Sequence, residues 1–110
     1  MKVDKKGHTT IIKDTKGDIQ LFLENITNEY HNFKSDNLIL DVSHATTISL
    51  ANLVSFKDLA KKHKKAKKSL VIVAENINFN DVPDYLHIVP SVLEAHDIIE
   101  MEEIERDLGF

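Results

Sequence analysis

Residues 37–56 read NLILDVSHATTISLANLVSF. Leu38-Ile39-Leu40-Asp41-Val42 is a short apolar run with polar flanks, the pattern of a strand covered on both faces, as in a parallel sheet. Ser43, His44, Thr46 and Thr47 follow, all able to hydrogen-bond backbone in a loop. Ser49 stands just before Leu50-Ala51-Asn52-Leu53, where a helix N-cap belongs. Leu53, Phe56 and Ala60 then recur at helical spacing and give that helix one apolar face. Asp41 closes the strand at the edge where open parallel sheets carry their sites.

Working outward, the second helix is predicted from Ser49 to Lys65, ending in the run Lys61 to Lys68. Leu70-Val71-Ile72-Val73-Ala74 is another apolar run. Strand, crossover helix and strand make a right-handed βαβ unit. Glu75 to Asp84 is a loop stopped by Pro83, and Leu86-His87-Ile88-Val89 is a third short strand. Ser91 and Glu94 have the spacing of a capping box at the start of a last helix. Its apolar stripe begins at Ala95, Ile98 and Ile99 and drifts to Met101, Ile104 and Leu108. Upstream, Met1 to Asp14 reads as a hairpin that turns at Lys5-Lys6-Gly7. Thr15 or Asp18 caps a first helix, whose stripe is Ile19, Phe22, Leu23, Ile26, Tyr30 and Phe33.

The 110 residues suit one domain, 1–110, with one core. An apolar share of 42% and a charged share of 29% are ordinary for a globular protein. With no cysteine there is no disulfide, thiolate nucleophile or thiolate-held zinc, which fits a reducing compartment. No run reaches the length of a membrane span, and MKVDKKGHTT lacks the apolar core of a signal peptide, so a cytoplasmic location is expected. The net charge of −4 argues against nucleic acid as a partner, and the lysine run reads as a solvated helix end that complements the macrodipole.

The six histidines show neither H-x-H nor H-E-x-x-H spacing; no metal or cofactor is expected, and the histidines are assigned to surface and loops. Asp41, Ser43, His44 and Ser49 hold the residue types of nucleophilic catalysis. They lie within one turn, however, and there is no G-x-S-x-G elbow, so they are read as turn and cap residues and no catalytic residue is named.

The order hairpin, helix, strand, helix, strand, loop, strand, helix resembles the STAS domain, the fold of anti-sigma factor antagonists. LILDVSHATTIS is similar to that family's strand and loop into the second helix, and LHIVPSVLEAHDII to its last strand and helix. The resemblance implies an α/β fold: a mixed sheet with an N-terminal β-hairpin and parallel βαβ strands, its helices packed mainly on one face. It also implies a bacterial regulatory protein. Counting from Asp41, Ser49 falls where the family has Asp, Leu50 where it has the phosphorylated Ser, and Asn52 where it has Gly. The loop Glu75 to Asp84 is shorter than the family's. The last helix, DIIEMEEIERDLGF, is also similar to small bacterial proteins, some of them labelled ribonuclease Z, but that enzyme's H-x-H-x-D-H motif has no match.

The expectation is therefore a non-enzymatic regulatory module of STAS-like fold without the phosphoacceptor. It would bind a protein through Asp41, Ser43, His44, Thr46, Thr47, Ser49, Leu50 and Asn52. The alternative is a small-ligand or anion site at the start of the second helix, using the hydroxyls of Ser43, Thr46, Thr47 and Ser49. Met101, Ile104, Leu108 and Phe110 are candidates for an overhanging apolar strip that meets a partner or a second copy.

Overall fold

The structure, a computed structural model, describes residues 1–45 and 47–109; Thr46 and Phe110 lie outside them. Five strands form one sheet in the order β1-β2-β3-β4-β5. They are β1 (Lys2–Lys6), β2 (Thr9–Lys13), β3 (Asn37–Asp41), β4 (Leu70–Val73) and β5 (His87–Val89). β1 and β2 are antiparallel, and β2 through β5 are parallel. The helices are α1 (Ile19–Asn28), α2 (Leu50–Val54), α3 (Lys57–Lys65) and α4 (Val92–Asp107).

Residues on β3 alternate between two cores, because successive side chains of a strand point to opposite faces. Leu38 and Leu40, with Ile12 of β2 and Ile72 of β4, pack under α1 (Ile19, Phe22, Ile26), α2 (Leu53) and α3 (Leu59), with Phe56 between the last two. Ile39, with Val71 and Val73, packs under Ala95 and Ile99 of α4. Every residue of β3 is buried, as its apolar run predicted. The expected α/β architecture is present: hairpin, parallel strands and, among the described residues, three of the four α-helices on one face. No helix among the described residues is long and apolar enough to cross a membrane.

Several local details differ from the sequence reading. α1 stops at Asn28, so Tyr30 and Phe33 of the expected stripe lie beyond it, Tyr30 opening a short 3-10 turn that Phe33 closes. Lys5 and Lys6 belong to β1 and not to the turn, which is Gly7-His8, with Gly7 at the positive φ of 60° that suits the first position of a hairpin turn. The second helix is two helices. Ser55 Oγ donates to the Asn52 carbonyl, and the Phe56 amide bonds the Leu53 carbonyl, three residues back, so the chain tightens at 55–56 before α3 begins. At α4, Ser91 Oγ accepts from the Glu94 amide as expected, but Glu94 reaches back to the Ser91 hydroxyl at 2.9 Å.

Candidate functional site

The parallel strands deliver two aspartates to their C-terminal edge. Asp14 follows β2, Asp41 ends β3, and the Asp14 amide bonds the Asp41 carbonyl at 2.9 Å. Both side chains are buried, and both close short turns. Asp14 accepts from the amides of Lys16 (3.1 Å) and Gly17 (2.9 Å). Asp41 Oδ1 accepts from the Ser43 amide at 3.0 Å and from the Ser43 hydroxyl. His44 is exposed, beside Gly17 of the neighbouring loop. Asp41 therefore holds Ser43 and not His44, and no Ser–His–carboxylate relay forms among the described residues.

Ser49 caps α2 as its position predicted. Its Oγ accepts from the Asn52 amide at 3.1 Å and donates to Asn52 Oδ1 at 2.9 Å, while Asn52 Oδ1 also accepts from the Ser49 amide at 3.1 Å. This reciprocal box engages the Ser49 hydroxyl and the Asn52 carbonyl oxygen. Thr47 is exposed, and Thr46 lies outside the described residues.

Beside the exposed His44 and Thr47, the surface also presents aliphatic side chains. Leu50 is 49% exposed and Val54, one helical turn on, 39%. An open groove of about 580 Å³ runs beside Leu50, between α2 and the loop after β4. Ile48, Leu50 and Ile77 form its apolar wall, and Glu75, Asn78 and Asp81 its polar rim. The structure thus brings Ser49, Leu50 and Asn52 to one surface and turns the side chain of Asp41 inward. The sequence reading did not include Ile48, Val54 or Ile77. The signal for Val54 was its i+4 spacing from Leu50.

A second cleft, about 360 Å³, lies at the opposite strand edge, lined by Lys64, Lys67, Lys68, His87, Glu102 and Arg106 among others. Two of its charged groups engage locally: His87 Nδ1 lies 3.6 Å from Glu102 Oε2, and Arg106 Nη1 donates to Ser69 Oγ at 3.0 Å. Behind it, Asn37 Oδ1 accepts from the buried Ser69 amide at 2.9 Å, and Asn37 Nδ2 donates to Glu103 Oε1 at 3.0 Å. We read this edge as a polar tie between α4 and the sheet.

His63 is a correction. It sits inside the lysine run but is fully buried, because it shares the inner face of α3 with Leu59. Burial first of all pushes its pKa down, and burial likewise raises that of Tyr30, its hydrogen-bond partner.

The chain matches no protein-family model. No curated protein is significantly similar to it in sequence.

Proposed function

We propose that this chain is a non-enzymatic regulatory protein-interaction module of STAS-like fold, which binds its partner through α2 and the turn that leads into it. One observation carries the reading. Asp41 bonds Ser43 and Ser49 bonds Asn52, while Leu50 faces outward into a groove and Val54 is exposed one helical turn on. Half-exposed aliphatic residues next to a concave surface are what a protein partner buries to advantage.

Leu50 opens the helix where the STAS pattern has its phosphorylated serine, so binding is constitutive and is set by partner concentration. Leu53 and Phe56 of the same segment are buried, as their helical spacing predicted. The anion-site alternative fits less well. The Ser43 and Ser49 hydroxyls are already engaged, and Glu75 and Asp81 make the neighbouring groove acidic. The absence of cysteine agrees with action in the cytoplasm.

The test is co-purification from cells of the source organism with the wild-type chain and with Leu50→Lys/Val54→Lys. Both positions are exposed, so the variant is expected to fold. A protein retained in near-stoichiometric amount by the wild type and lost from the variant supports the proposal. Equal recovery by both rejects the surface, and kinase-dependent phosphate on Ser49 rejects the constitutive part.

A further inference from the structure

Helix α4 is apolar on two opposite sides. Ala95 and Ile99 are buried against the sheet, with Val92 and Ile98 beside them. On the opposite side Leu93, Met101, Ile104 and Leu108 are 73%, 59%, 54% and 67% exposed. At 100° per residue these four fall within one narrow stripe, with Asp97 inside it. Met101, Ile104 and Leu108 have the alternating three- and four-residue spacing of a helix that packs along another helix.

The charge around the stripe has one sign. Glu94, Asp97, Glu100, Glu105 and Asp107 are exposed. The only arginine of the helix, Arg106, is turned inward to Ser69 and Asn37. A groove of about 380 Å³ continues the stripe toward β2, with Thr9, His96, Ile99, Glu100, Ile104 and Asp107 among its lining residues. An apolar seam edged by carboxylates is complementary to an apolar seam edged by lysine or arginine.

We infer that the outer face of α4 docks a basic amphipathic helix of a partner protein. Charge complementarity selects this occupant. A second copy meeting α4 to α4 would oppose carboxylates to carboxylates, which is repulsive. The lysines of α3 in a second copy have the right sign, but α3 exposes no large apolar residue to meet the stripe. α4 lies on the sheet face opposite α2, so the two surfaces are independent and the domain can hold two proteins at once.

The probe is a fluorescent synthetic peptide as long as α4, with leucines on one helical stripe and lysines elsewhere. Its counterpart carries glutamate in place of lysine. Anisotropy is read with the wild-type chain, with Met101→Ser/Ile104→Ser, and with Leu50→Ser/Val54→Ser. The α4 variant keeps every charge, and Leu108→Ser is a milder second variant should the double one melt early. The lysine peptide is expected to bind the wild type and the α2 variant alike. Its affinity should fall about tenfold or more with the α4 variants, the scale of losing central apolar contacts. The glutamate peptide should not bind. Undiminished binding to the folded α4 variants would reduce the effect to diffuse charge attraction and overturn the proposal. No binding at all would also overturn it, as would wild-type dimers in sedimentation that the α4 variants abolish.

Discussion

The phenol of Tyr30 donates a 2.8 Å hydrogen bond to Nδ1 of His63, and His63 Nε2 donates at 2.8 Å to the carbonyl of Asp36. Because that carbonyl can only accept, Nε2 carries a proton; burial, which lowers the His63 pKa, favours the neutral ring, whose Nδ1 then accepts from the phenol. Three segments meet there: the turn after α1, α3 and the entry to β3.

This pairing makes stability depend on pH. Burial is the main cause that lowers the His63 pKa from its ordinary 6.5; nearby Lys68 and Arg106 add to the depression, and the Asp36 carbonyl opposes it. The unfolded chain takes up the proton as pH falls through 6.5, while the folded chain resists it. Stability is thus full above that pH and declines below it. The melting temperature is expected to drop between about pH 7.5 and about pH 5.5, with a shallower drop in His63→Gln. Equal slopes would remove His63 from the account. Tyr30→Phe, which leaves Nδ1 without a donor, should cost about 1–3 kcal/mol in urea unfolding at neutral pH.

Asn37→Ala should release α4 from the sheet edge. It removes the acceptor of the buried Ser69 amide and the donor to Glu103. An orphaned buried group costs about 1–3 kcal/mol. Hydrogen exchange is expected to speed up at Ser69 and over the second half of α4, leaving α1 unchanged. Uniform acceleration would instead mean a purely global loss.

Lys67→Gly should stabilise the protein. Lys67 follows the α3 C-cap at φ 62°, where the Lys67 amide bonds the Lys64 carbonyl (2.9 Å) and the Lys68 amide the His63 carbonyl (3.2 Å). These are the two bonds of the Schellman motif, whose left-handed position favours glycine. Relief of the side-chain strain is worth about 1 kcal/mol, partly offset by the freedom glycine gains when unfolded. The urea midpoint should rise at unchanged m-value; Lys67→Ala should leave it near wild type.

Phe22→Ala or Phe56→Ala should cost about 3–5 kcal/mol and lower helicity on mild heating, since both rings are buried in the core over the sheet. A cost within about 1 kcal/mol would show that the site collapses around the cavity without penalty.

The sheet and its helices were legible because β3 and β4 are continuous apolar runs and α1 carries one clean stripe. The Ser49 cap was legible for the same local reason. The break at Ser55-Phe56 has no glycine or proline to mark it and arises from a hydroxyl bonding a carbonyl within the turn. His63 was hidden by the lysines around it; its only signal was its spacing, four residues after Leu59 and seven after Phe56. Of the α2 surface, Leu50 was visible; Val54 had a signal in its spacing from Leu50 that was not used, and Ile77 had none, since the groove joins α2 to a segment far away in sequence. The exposed stripe of α4 was visible from Met101 to Leu108. Leu93, two turns before its start, was missed because Asp97 interrupts the pattern.

The most direct test of the account replaces Leu50 with a photoreactive phenylalanine analogue in cells of the source organism. The same analogue at Glu24, exposed on α1, is the control. Irradiation is predicted to give one discrete protein adduct from position 50 that position 24 does not give. No adduct, or the same adducts from both positions, would contradict a partner surface at α2.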